Sequence, residues 1–160
     1  MKRRTHTEAP LQLSSFIPFR LNRLATAISS HLAEIYRERF GLEVAEWRVL
    51  VTLGAESACS AQHIVHSTRT HKTRISRAIA QLVKRGVIER VASVKDGREL
   101  QLKLSKSGQR MYKQLAPLTL QRERTLLTCM SKTQLRGFIA AVKRLEDYLE
   151  LTPAAEDEVE

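Results

Sequence analysis

Lys72-Thr73-Arg74-Ile75-Ser76-Arg77-Ala78-Ile79-Ala80-Gln81-Leu82-Val83-Lys84-Arg85-Gly86 reads as one amphipathic helix followed by its stop. Ile75, Ile79, Leu82 and Val83 follow the i, i+4, i+7, i+8 spacing of a face turned toward a core. Thr73, Ser76, Arg77, Ala80, Gln81 and Lys84 share the other side, which has few bulky apolar groups and no acid. The helix is expected from about Lys72 to Arg85, ending at Gly86.

Upstream, Ser60 is a good N-cap for a short helix through Ala61-Gln62-His63-Ile64-Val65. Downstream the period changes. Val87-Ile88-Glu89-Arg90-Val91 is rich in β-branched residues, and Glu99-Leu100-Gln101-Leu102-Lys103-Leu104 alternates strictly. Between them Val94-Lys95-Asp96-Gly97-Arg98 holds an Asp-Gly hairpin signal, so Asp96, Gly97 and Arg98 mark an exposed tip.

Further out the pattern is helical on both sides. Ile17, Leu21, Leu24, Ile28, Leu32 and Ile35 recur at helical spacing, which predicts a first helix from roughly Ser14 to Arg39 with Gly41 as its stop. A second, from about Val44 to Leu53, groups Val44, Trp47, Leu50 and Val51 on one face and ends at Gly54. After Ser107 a helical pattern runs to about Met130, and Pro117 is expected to kink it or break it in two. Ser131-Lys132-Thr133-Gln134 is a capping box opening a last helix that carries Leu135, Phe138, Ile139, Val142, Leu145 and Leu149. The acidic tail from Ala154 to Glu160 is expected to fray.

Charge distribution points to the same central segment. The chain has 160 residues and a net charge of +10 from 27 basic and 17 acidic side chains. Ser60 to Lys113 holds 13 of the basic residues against Glu89, Asp96 and Glu99, so this segment carries the whole +10. The 14 basic and 14 acidic residues elsewhere cancel. Concentrated positive charge is the footprint of a polyanion-binding surface.

Several classes are excluded. The longest stretch without Asp, Glu, Lys or Arg, Ser57 to Thr68, has 12 residues, too short to cross a membrane. Lys2-Arg3-Arg4 is followed by polar residues, so no signal peptide is expected and a cytoplasmic location is. Cys59 and Cys129 are too few for a disulfide framework. With 6 glycines, there is no phosphate-binding loop, nucleophile elbow or His-Glu-x-x-His helix, so the chain does not read as an enzyme and no cofactor is expected.

Short helix, tight connection, basic-faced helix, hairpin is the order of a winged helix-turn-helix. The expected fold is mainly α with a small β-hairpin wing, flanked by N- and C-terminal helices. A helix about 10–12 Å across fits the DNA major groove, and a hairpin tip reaches the minor groove or backbone. Ser60, Gln62, Lys72, Thr73, Arg74, Ser76, Arg77, Gln81, Lys84, Lys95, Asp96 and Arg98 form the candidate DNA-binding set.

At Lys72-Thr73-Arg74-Ile75-Ser76-Arg77, Leu82, Lys84-Arg85-Gly86-Val87-Ile88-Glu89-Arg90 and Asp96-Gly97-Arg98, the chain resembles the MarR family of transcriptional regulators. Glu46-Trp47-Arg48-Val49-Leu50 is similar to the family's pattern too, and the similarity runs from about Phe16 to Leu149. The resemblance implies one domain over residues 1–160, with dimerisation helices at 14–41 and 107–151 and a DNA-binding lobe at 44–105. It implies a homodimer on a palindromic double-stranded operator, with Arg77 and its polar neighbours in the major groove. Arg98 would enter the minor groove, braced by Asp96. One departure is His71, where the family often has Asp; either Thr70 caps the helix instead or the operator contacts there differ.

The resemblance further implies a small-molecule effector at the junction of the first, second and fifth helices. Arg20, Arg23, His31 and Trp47 are the candidate lining, and an arginine beside an aromatic wall suits an aromatic acid. Release of DNA by such a ligand makes the expected protein a repressor. Two alternatives stand beside it. One is an architectural module holding DNA or RNA without sequence choice. The other is a metal- or redox-responsive regulator using Cys59, His63, His66 and His71, although no carboxylate accompanies them and solvent-facing histidines account for the pattern more simply. Arg77 has a structural alternative, pairing with Glu89 or Asp96, and Trp47 a place in the core.

Overall fold

A computed structural model of the chain describes residues 10–92 and 100–151. The described elements are α1 (Ile17–Phe40), α2 (Val44–Glu56), β1 (Ala58–Cys59), α3 (Ala61–Thr68), α4 (Lys72–Lys84), β2 (Ile88–Ala92), β3 (Leu100–Leu104), α5 (Lys106–Leu127) and α6 (Lys132–Tyr148). The mainly α fold with a small sheet is the one the periodicities predict. Lys95, Asp96 and Arg98, at the expected hairpin tip, lie outside the described residues, as does the acidic tail from Ala154.

α1 begins with Pro18 in its first turn, where a missing N–H costs nothing, and ends at Gly41 in the left-handed region (φ 58°, ψ 36°). Leu42 N donates to Tyr36 O at 2.9 Å, closing the helix end. α2 opens with a capping box in which Glu43 N donates to Glu46 Oε2 at 2.8 Å.

Two expected breaks are absent. α2 does not stop at Gly54 but continues to Glu56. Gly54 serves packing instead, because a Cβ there would run into the Tyr112 ring of α5. Nor does Pro117 divide α5, which is one helix of 22 residues. Its Leu115 is fully buried, so packing against the lobe outweighs the one backbone hydrogen bond that proline cannot make.

The sheet has strand order β1-β3-β2, all antiparallel. β2 and β3 form the expected hairpin, with Ile88 opposite Leu104 and Ala92 opposite Leu100. β1 is an addition: Cys59 pairs with Leu102, tying the start of α3 to the wing. Two residues are too few to show a period, which is why the strand is silent in the sequence.

The core lies in the lobe. Tyr36, Leu42, Val49, Leu50, Leu53, Ile64, Ile75, Leu82 and Leu115 are all essentially inaccessible. The N-terminal half of α1 and all of α6 are different. Ile17, Leu21 and Leu24 are exposed, α6 has no buried residue, and its Phe138, Ile139 and Leu145 face outward. Among the described residues no helix is long and apolar enough to cross a membrane.

Candidate nucleic-acid interface

α3 and α4 are joined by a turn whose geometry sets the direction of α4. Ser60 caps α3 by accepting from His63 N at 3.1 Å. Arg69 ends it in the left-handed region (φ 48°), and Thr68 Oγ1 donates to Ile64 O at 2.6 Å. Thr70 is buried and does not cap α4. Its hydroxyl accepts from Arg48 Nη1 at 2.7 Å and donates to Thr68 O at 3.2 Å. The cap is His71, whose Nδ1 accepts from Thr73 N at 3.3 Å. His71 thus fills the N-cap through a ring nitrogen that accepts one of the unpaired backbone N–H groups of the first turn.

α4 divides as its periodicity predicts. Ile75, Ala78, Ile79 and Leu82 are buried, whereas Lys72, Thr73, Arg74, Ser76, Arg77, Ala80, Gln81 and Lys84 are exposed. Among the described residues, Lys72, Arg74, Arg77 and Lys84 make no ion pair. Glu89 pairs across the hairpin with Lys103 at 3.1 Å, so it is not engaged with Arg77. Four unneutralised cations on one helix, interleaved with hydroxyls and an amide, present what a phosphate backbone and base edges require. Gln62 on α3 is exposed, while the Ser60 hydroxyl is committed to its cap.

Two arginines that hold this interface in place escape a sequence reading. Arg48 pins the helix-turn-helix corner to α2 through Thr70. Arg85 donates from Nη1 to Gly41 O at 2.9 Å and from Nη2 to Phe40 O at 2.7 Å, joining the end of α4 to the end of α1. Their basic residue type is no different from that of the exposed cations of α4, so no local signal separates the two sets.

The four candidate effector residues do not share one chamber. Trp47 stacks on Tyr36 with ring centroids 5.2 Å apart and planes 9° from parallel. It lines a largely apolar cavity of about 420 Å³ between α1, α2, α5 and α6, together with Leu32, Leu127, Leu135 and Phe138. Trp47 Nε1 is buried without a hydrogen-bond partner among the described residues. Arg20 and Arg23 line a separate groove of about 400 Å³ on the first turns of α1, and His31 lines neither. At about 1.5 Å rise per residue, Arg20 sits about 12 Å along α1 from Ile28, the nearest residue of α1 that lines the Trp47 cavity.

The histidine cluster is also rearranged. Among the described residues, the His, Cys, Asp and Glu side chains close enough to share an ion are Glu56, Cys59 and His63. A carboxylate therefore does accompany the cysteine, while His66 and His71 stand apart. Burial, then the Glu56 carboxylate and a hydrogen bond to it, push the Cys59 thiol up to about 12.

Known proteins share this architecture. Residues 40–99 match the sequence profile of the MarR family. A MarR/EmrR family transcriptional regulator from Acinetobacter superposes with a TM-score of 0.78 at 23% identity, over 89% of this chain and 100% of that one. A probable transcriptional regulator from Pseudomonas aeruginosa is 25% identical with a TM-score of 0.68, over 84% of this chain and 99% of that one. BpsR from Bordetella bronchiseptica, whose DNA binding is regulated by 6-hydroxynicotinic acid, is 17% identical with a TM-score of 0.76, over 87% and 99% of the two chains. No curated protein matches the chain.

Proposed function

We propose that this chain is a MarR-family sequence-specific transcriptional regulator, not an enzyme. It acts in the cytoplasm as a homodimeric repressor on a palindromic operator. The observation that carries this reading is the exposed face of α4, with Lys72, Arg74, Arg77 and Lys84 free of ion pairs among the described residues.

In this reading Arg77 contacts base edges in the major groove, and Thr73, Ser76 and Gln81 supply the polar complement. Lys72, Arg74 and Lys84 neutralise phosphates, and Ser60 and Gln62 face the backbone from α3. Arg98 enters the minor groove, with Asp96 and Lys95 shaping and steering the wing. The uncovered apolar residues of α1 and α6, among them Leu21, Leu24, Phe138 and Ile139, supply the dimer contact. Two lobes related by a two-fold axis read half-sites one helical turn apart, or a multiple of it.

The effector is a small molecule seated beside Trp47. The cavity there touches both the lobe and the helices proposed to pair, so a ligand filling it has different affinity for different lobe spacings. An aromatic acid fits the indole wall and its N–H, and 6-hydroxynicotinic acid, which regulates DNA binding by BpsR, belongs to that chemical class. Arg20 and Arg23 would have to act from outside that cavity, as the second rim of the ligand's path.

Selection from a pool of random duplex DNA at near-physiological salt, with the oligomer mass recorded, tests the reading. Enrichment of a palindrome bound by a dimer is the expected result. Tight binding without an enriched sequence, falling steeply with salt, would replace it with the architectural reading.

A further inference from the structure

The junction of α2, β1 and α3 brings together three side chains of metal-ligating type. Glu56 is the last residue of α2, Cys59 lies in β1, and His63 is in the first turn of α3. One ligand atom from each lies within 4.8 Å of the other two. Glu56 Oε2 and His63 Nε2 are 2.6 Å apart.

The local backbone explains the convergence. Ser57 adopts φ 65°, ψ −54°, the sparsely populated region of a classic γ-turn, and reverses the chain within one residue of the helix end. Cys59 is fixed by its pairing with Leu102, and the Ser60 cap fixes the first turn of α3 that carries His63. Three separately anchored elements thus present a carboxylate, a sulfur and an imidazole to one point.

We propose that Glu56, Cys59 and His63 form a binding site for one zinc-class divalent cation. The donor set selects the metal class. A thiolate and an imidazole suit zinc and its neighbours, whereas magnesium and calcium require oxygen ligands. Bonds of about 2.0–2.3 Å to a tetrahedral ion separate its ligand atoms by about 3.5 Å, a spacing the three groups reach with small rotations. Glu56 and His63 are 38% and 48% exposed at their side chains, which leaves room for those rotations and a path for the ion. Cys59 is 8% exposed and forms the floor. Binding replaces the thiol proton with the cation and releases that proton to solvent, and the fourth position is left to water. Glu56, Cys59 and His63 lie outside the proposed DNA-contact set and do not line the Trp47 cavity.

Chelator-treated protein titrated with Co(II) tests this directly. One equivalent is expected to bind per chain, with a sulfur-to-cobalt charge-transfer band that Zn(II) abolishes. Cys59→Ser is expected to remove the band and Cys129→Ser to keep it. Cys59 is a core position, so His63→Gln and Glu56→Gln, at exposed side chains, supply the second set of variants. Each is expected to weaken the ion by about tenfold or more with far-UV circular dichroism unchanged. Zinc is also expected to raise the melting temperature of the wild type and to do so less in His63→Gln. Absence of the charge-transfer band in wild type, or its survival in Cys59→Ser, would overturn the proposal.

Discussion

Arg85 holds the end of α1 from the end of α4: its Nη1 donates to the Gly41 carbonyl at 2.9 Å. Nη2 donates to Phe40 O at 2.7 Å, and the guanidinium lies 3.9 Å from the buried Glu46 carboxylate. A cation at the C-terminus of a helix satisfies carbonyls that have no partner of their own and opposes the negative end of the macrodipole. Arg85 therefore fixes the angle at which α1 leaves the lobe.

Arg85→Ala is expected to lower stability by about 1–2 kcal/mol, the range for charge-assisted hydrogen bonds reduced by partial exposure. Arg85→Lys, which keeps the charge but not the two-pronged geometry, should fall between. Urea unfolding of the three proteins checks this, and equal midpoints would remove Arg85 from its structural role.

Gly54→Ala offers a test in which the sign is diagnostic. In an open helix this change adds about 1 kcal/mol of stability through propensity alone. Here the new Cβ meets the Tyr112 ring, so a net loss of about 1–2 kcal/mol is expected once overpacking is included. Tyr112→Leu in the same chain should return most of that stability, because a double-mutant cycle isolates the pair. Gain of stability in Gly54→Ala would mean that the glycine does nothing for packing.

Tyr36 carries a pH prediction. Burial, against smaller opposing contributions from Arg37 and Arg48, raises its phenol above the ordinary 10.0. The folded protein then holds the phenolic proton more tightly than the unfolded chain. That advantage is complete below pH 10.0 and is lost as pH rises from there through the folded value. Stability measured by urea between about pH 9 and 11 should therefore fall more steeply in wild type than in Tyr36→Phe. Cys59 adds a fall in the same direction that both proteins share. Parallel profiles would show that the phenol is not held neutral by the fold.

Thiol chemistry separates the two cysteines. Cys129 is exposed just beyond the end of α5, while Cys59 is buried and held neutral up to about 12. With metal removed, Ellman's reagent is expected to label Cys129 fast and Cys59 only as the fold opens. Labelling in Cys129→Ser should thus be slow and accelerate with urea. Two equally fast thiols would place Cys59 outside the core.

Much of the molecule is legible in its residue order, and the exceptions share a cause. Ile75, Ile79 and Leu82 announce the buried side of α4 because three-dimensional packing there simply follows the helical period. Leu102 and Leu104 do the same for the strand facing the core. What escapes depends on partners distant in sequence. Gly54 reads as a stop until Tyr112, on another helix, is seen against it. Pro117 reads as a break until Leu115 is seen buried. Arg48 and Arg85 look like any other cations, and only their carbonyl and hydroxyl partners reveal them as struts. Glu56 joins Cys59 and His63 through a turn at Ser57 that no turn-forming dipeptide marks.

If α4 reads DNA as proposed, its cations are unequal, and that inequality is measurable. Arg77 stands mid-helix on the exposed face, where a recognition helix meets base edges, and its fork matches a guanine bidentately. Lys84 ends the helix and has only a point charge for a phosphate. On an operator recovered by selection, Arg77→Ala is expected to cost about 1–3 kcal/mol and to relax sequence choice at one position of each half-site. Lys84→Ala should weaken all duplexes alike and lower the slope of log K against log salt by about 1 for each phosphate left unneutralised. Both variants are expected to keep the fold, since neither side chain is buried or paired among the described residues. If Arg77→Ala instead reduced the salt slope and left the preferred sequence intact, Arg77 would be a phosphate contact and base reading would have to come from Ser76, Gln81 or the wing.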